Sequence, residues 1–118
     1  MNLYDPSTVH IQFSAEVKSQ LRSLAKRYRQ IRSDLQPLID QLQSGNLPGD
    51  QIPGTGYTTF KVRLSNSDIR KGKRSSYRVI YQVLEPTSVL LLLIYAKSDQ
   101  TDVTVAEIQT VIRKHLQG

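Results

Sequence analysis

Residues 89–96 read VLLLLIYA, eight in a row whose only polar atom outside the backbone is the Tyr95 hydroxyl. A membrane-spanning helix takes about 20 apolar residues, so this run is far too short for one. It reads instead as a β-strand buried on both faces. Such a strand needs a sheet, and the sequence supplies one. Residues 57–64 alternate, with Phe60, Val62 and Leu64 facing one way and Thr59, Lys61 and Arg63 the other. Residues 76–84 (SYRVIYQVL) alternate as well, with Tyr77, Val79, Tyr81 and Val83 on one side and Arg78, Ile80 and Gln82 on the other. A tight turn at EPTS leads into the apolar strand, and a basic, glycine-containing stretch from 66 to 75 joins the two alternating ones. Three strands with short connections make an antiparallel meander, and a short first strand at residues 8–13 (TVHIQF) is expected to join its edge.

The rest of the chain reads as helix and loop. Ser14 stands where an N-cap belongs, with Glu16 in the first turn and Val17, Leu21, Leu24, Ala25, Tyr28 and Ile31 at helical spacing. Asp34 is expected to cap a second helix, since Pro37 is tolerated in a first turn; Leu35, Leu38, Ile39 and Leu42 supply its buried face and Gly45 its end. A helical hairpin is the reading, with a single bent helix as the alternative. Residues 45–56 (GNLPGDQIPGTG) are loop. Thr104 and Glu107 form a capping box for a last helix whose apolar side is Val105, Ile108, Val111, Ile112 and Leu116. The whole is a single α+β domain over residues 1–118, a mainly antiparallel sheet of about four strands whose apolar face the helices must cover.

Composition narrows what such a domain can do. Hydrophobic residues make up 38% and charged ones 22%, as suits a small α+β fold with much surface. There is no cysteine, hence no disulfide and no thiolate metal site, and two histidines with no HExxH spacing leave no metal motif. No cofactor is expected. The N-terminus lacks the basic start and apolar run of a signal peptide, so the expectation is a soluble, cytoplasmic protein without a membrane partner.

Charge is unevenly spread. The stretch from Lys61 to Arg78 carries Lys61, Arg63, Arg70, Lys71, Lys73, Arg74 and Arg78 against one acid, Asp68, a surplus equal to the +6 net charge of the whole chain. A phosphate backbone is the commonest counter-charge for such a cluster. If the strands pair in sequence order, Lys61, Arg63, Arg78 and Lys97 share the face turned away from the helices. Cleavage of RNA by its own 2′-hydroxyl needs a base, an acid and stabilisation of the charge that grows on phosphorus. Histidine usually supplies the proton transfers, but His10 and His115 lie far from the cluster in sequence. A lysine crowded by other cations gives up its proton more readily, and arginines grip phosphate oxygens two at a time. A phosphate site of lysine and arginine alone is therefore chemically possible. Basic clusters are usually solvated surface or plain electrostatic binding patches, and charge by itself points to nucleic-acid binding well before it points to a nuclease.

Other candidates carry a bland alternative. Lys18, Arg22, Lys26 and Arg29 form a stripe that is either the wet face of an amphipathic helix or an RNA contact. Tyr77 and Tyr81 alternate with valines and read as core, whereas Tyr95 is open to either role. His115 reads as a helix C-terminal cation and Asp68 as a turn or charge-balancing residue.

Four blocks, GDQIPGTG (49–56), KVRL (61–64), KGKRSSYRVIY (71–81) and LLLIYAKSDQTDVT (91–104), resemble in order and spacing the HigB branch of the RelE/ParE toxin superfamily. The resemblance covers about half the chain. It implies a RelE-like fold and a bacterial type II toxin: a ribosome-dependent endoribonuclease that cuts translated mRNA in the A site without metal. Its implied partners are mRNA on the ribosome and a neighbouring antitoxin, often a helix-turn-helix protein. Lys61 and Arg63 match the paired basic residues of the family's second strand, Arg78 the arginine that holds the scissile phosphate, and Lys73 and Arg74 the basic loop. Tyr81 and Lys97 also fall on motif positions. Where RelE has an arginine and a tyrosine, this chain has Ser98 and Thr104. The implied roles are Lys61 as base, Arg63 and Arg78 as charge stabilisers and Lys97 as proton donor, with Arg70, Lys71, Lys73 and Arg74 binding RNA. A ParE-like gyrase inhibitor without nuclease activity, or a degenerate relative that only binds nucleic acid or antitoxin, is the alternative.

Overall fold

The apolar run lies within β5 (Ser88–Ala96), one place in from the edge of a five-stranded sheet. The computed structural model of the protein describes residues 8–68, 76–100 and 102–118. Before β5 come β1 (His10–Phe13), α1 (Ala15–Ala25), α2 (Ile31–Gln43), β2 (Asp50–Gln51), β3 (Thr59–Ser65) and β4 (Ser76–Glu85); α3 (Val105–Leu116) follows it. The sheet runs β1-β5-β4-β3-β2. All neighbours are antiparallel except β1, which lies parallel to β5. The meander and the edge position of the first strand are as the alternation predicts. β2, two residues long inside the glycine-rich loop, carries no sequence pattern of its own.

The two faces of the sheet bury separate clusters. On one, Tyr77, Val79 and Tyr81 of β4 and Val89, Leu91, Ile94 and Ala96 of β5 meet Val17 and Leu21 of α1 and Ile31, Leu35, Leu38 and Leu42 of α2. On the other, Ile80, Leu90, Leu92, Leu93 and Tyr95 meet Ile108, Val111 and Ile112 of α3. The expectation that the helices cover one face is thus corrected. A strand apolar on both sides needs a cover on both, since each large aliphatic side chain buried contributes about 1.5–3 kcal/mol. Leu116, expected in the core, is 67% exposed at the end of α3. Strict alternation also fails once along β5. Ile80 pairs with Leu93 and Tyr81 with Leu91, so Leu92 is an extra residue, and Leu92 and Leu93 both join the α3 cluster.

Ser14 links α1 to the sheet. Its Oγ accepts from the Val17 amide at 2.9 Å, as an N-cap does, and donates to the Leu92 carbonyl at 2.8 Å. Its own amide donates to the Leu91 carbonyl at 3.0 Å. Gln20 accepts from the Ile94 amide at 2.8 Å, so α1 side chains occupy the edge of β5 where β1 stops. The second helix starts four residues earlier than its sequence suggests, with Gln30 rather than Asp34 at the cap position. Ile31 is fully buried and opens it, Asp34 lies inside its first turn rather than capping it, and Pro37 falls in its interior. The start is held from a distance: Asp68 accepts from the Gln30 amide at 2.9 Å and Asp34 from the Ser67 amide at 3.0 Å. Asp68 therefore ties the end of β3 to the positive end of α2. At α3 the N-cap half of the capping box forms, Thr104 Oγ1 accepting from the Glu107 amide at 3.1 Å, while the Thr104 hydroxyl donates to Glu107 Oε1 at 3.3 Å.

Candidate functional site

Strand pairing decides which cations meet. In an antiparallel pair, directly opposed residues point to the same face. Arg63 of β3 lies opposite Arg78 of β4, and Arg78 lies opposite Tyr95 of β5. One step along the strands, Asp50 of β2 lies opposite Lys61, and Lys61 opposite Ile80. Lys97 follows the end of β5 and is fixed by its amide, which donates to the Ser76 carbonyl at 2.9 Å. The result is an open cleft of about 290 Å³ lined by Asp50, Lys61, Arg63, Arg78, Lys97 and Asp102. The four basic residues singled out for phosphate chemistry thus come together on one sheet face, beside the part that α3 covers.

Two guanidinium groups directly across from each other repel and weaken the ladder where they stand. Arg78 is half-buried and anchored, its Nη1 donating to Ser76 Oγ at 2.6 Å. Arg63 is exposed. At the other end of the cleft two carboxylates gather. Lys61 Nζ lies 3.5 Å from both oxygens of Asp102. The Val103 amide, donating at 2.9 Å, does most to hold Asp102 below the usual aspartate range; burial opposes this and the Lys61 charge assists it. Tyr95 donates to Asp102 Oδ1 at 3.3 Å, and burial above all, with the Asp102 charge, pushes its hydroxyl up to about 12. Asp102 is thereby an ionised acceptor and a poor proton acceptor in chemistry, and Tyr95 a standing donor.

The remaining candidates lie elsewhere. Lys18 and Arg22 are exposed on α1, which packs on the opposite sheet face, and Lys26 and Arg29 follow it, also exposed. Lys18 lines a different hollow of about 410 Å³ with Lys114 and His115. The stripe therefore shares no surface with the cleft. Tyr81 is fully buried on the α1–α2 side, stacked on Phe60 at 5.3 Å and donating to the Pro48 carbonyl at 2.6 Å. Its role is packing, not cleft chemistry. Tyr77, likewise fully buried, lies edge-on to Tyr28 at 5.7 Å. Arg70, Lys71, Lys73 and Arg74 lie outside the described residues. Among the described residues, no group of three or more His, Cys, Asp and Glu side chains could hold a metal ion, and no helix is long and apolar enough to cross a membrane.

Sequence reasoning missed both carboxylates of the cleft. Asp50 reaches Lys61 only through the two-residue β2, and Gly49 makes that approach possible. Its φ of 94° is left-handed, and a Cβ there would collide with the Lys61 carbonyl. Asp102 stands two residues before the α3 cap, where nothing local ties it to Lys61, 41 positions away. No family model matches the chain, and no curated protein is similar enough to it to count as a relative.

Proposed function

We propose that the chain is a HigB-like member of the RelE/ParE toxins: a ribosome-dependent endoribonuclease that cleaves translated mRNA by attack of a ribose 2′-hydroxyl on the adjacent phosphate. The observation that carries this reading is the single cleft lined by Lys61, Arg63, Arg78 and Lys97. A phosphate between Arg63 and Arg78 would be gripped by two forks at once, and their preset geometry would stabilise the charge that builds on phosphorus. Lys61, which pairs with Asp102 as an ammonium, must first lose its proton to solvent, and the neutral amine then takes the 2′-hydroxyl proton. The 2′-oxygen bonds to phosphorus, the bond to the 5′-oxygen breaks, and Lys97 supplies the proton that oxygen needs. The products are a 2′,3′-cyclic phosphate and a 5′-hydroxyl. Positioning of the message by the ribosome supplies the alignment that a small open cleft lacks. Within this reading the chain has a RelE-like fold, works in the cytoplasm and is neutralised by an antitoxin encoded beside it.

The test is induction in a bacterial host followed by primer extension on a translated message. Cuts within codons that vanish when translation is blocked are the expected result. Growth arrest with intact message and damaged DNA would point instead to a gyrase inhibitor.

A further inference from the structure

A second hollow of about 240 Å³ adjoins the cationic cleft, and its chemistry is the reverse. Ile52, Pro53, Ile80, Val103, Val105 and Ile108 line it, and it shares Lys61 and Asp102 with the cleft. Each hollow alone is smaller than the roughly 300 Å³ at which small-molecule sites begin, whereas a ligand spanning both falls within that class. Such a ligand has an anionic end and a largely apolar end one step apart. Arg78 and Ile80 are successive same-face residues of β4, as are Arg63 and Lys61 of β3, so the step is about 6.6 Å. That is the scale of one nucleotide from phosphate to base.

Charge fixes the direction. Asp50 and Asp102 stand at the Lys61 end and repel a phosphate there, while Arg63 and Arg78 face each other at the far end. We infer that the apolar hollow beneath the start of α3 is a base subsite: it takes the nucleobase of the nucleotide whose phosphate lies on Arg63 and Arg78. Ile52 and Val105 flank the base, Ile80 and Ile108 form its floor, and the Asp102 carboxylate at the seam accepts from a base N–H. The subsite rests on the proposed phosphate site but not on cleavage.

The test is titration of the full-length, ¹⁵N-labelled chain with inorganic phosphate, adenosine 5′-monophosphate and adenosine, followed by amide shifts. Adenosine monophosphate is expected to bind at least about tenfold more tightly than inorganic phosphate, because it adds apolar burial to the same anion contact. It alone of the two should shift the amides of Ile52, Val103 and Val105. Ile52→Asn should remove that advantage and leave phosphate affinity unchanged; if Ile52→Asn fails to fold, Val105→Asn serves, and the comparison of ligands on the parent chain stands by itself. Equal affinities, or nucleotide shifts confined to the amides around Arg63 and Arg78, overturn the subsite. A chain that shows the nucleotide advantage but cuts no message keeps the subsite and loses the nuclease reading. A chain that cuts message but binds the nucleotide no better than phosphate does the opposite.

Discussion

The two faces of the sheet draw on the same alternating strands and end in opposite states. One is closed. Tyr77, Val79 and Tyr81 disappear under α1 and α2; the Tyr81 hydroxyl donates to the Pro48 carbonyl, and the Tyr77 hydroxyl is buried with no hydrogen-bond partner among the described residues. The other is divided. α3 covers the half built on Ile80, Leu90, Leu92 and Leu93, and the neighbouring half is left to Lys61, Arg63, Arg78 and Lys97. A strand such as β4 therefore supplies stability through its odd-numbered residues and Ile80, and a charged surface through Arg78. The lesson lies in what the open half tolerates: opposed arginines, a pairing that works against the fold and is typical of positions kept for a ligand.

Substitutions on the two faces should separate cleanly. Leu42→Ala, on the fully closed side, should lower unfolding free energy by about 2–5 kcal/mol in denaturant titration, since it leaves a cavity under α2. A loss below 1 kcal/mol would mean that this face is less well packed than the burial indicates. Ser14→Ala removes a helix cap and a hydrogen bond to β5 together, and should cost about 1–3 kcal/mol by the same measurement. Arg63→Ala should leave stability unchanged or raise the melting temperature slightly, because it relieves a cross-strand repulsion of roughly 0.2–1 kcal/mol. A marked loss of stability would break the contrast between the faces.

The smallest effect concerns pH. The Asp102 pKa is lowered in the folded state, so its contribution to stability is present above the unfolded-state value of about 3.9 and is lost as pH falls through the lower folded value. The group is largely exposed and its ion pair screened. Asp102→Asn should therefore lower the melting temperature slightly at pH 7, and the difference from the parent chain should shrink as pH falls below about 4.

Much of this architecture is legible in the sequence because it is local. The alternation of β3 and β4, the double-sided apolarity of β5, the Ser14 cap and the Thr104–Glu107 box each declare themselves within a few residues. Pairing the strands in sequence order was enough to bring Lys61, Arg63, Arg78 and Lys97 to one face. What stayed hidden depends on contacts distant in sequence. The early start of α2 is fixed by Asp68, 38 positions from its partner Gln30. Asp50 and Asp102 enter the cleft through a loop and a helix start with no periodic signal. The extra residue at Leu92 interrupts a run of leucines, where one register looks like another.

The central claim is that Arg78 holds a scissile phosphate in the cationic cleft, and single-turnover cleavage of mRNA on programmed ribosomes tests it most directly. Arg78→Ala should cut at a rate about 10²–10³-fold below the parent chain, with a melting temperature nearly unchanged. Cleavage at the parental rate by a folded Arg78→Ala chain would contradict the account.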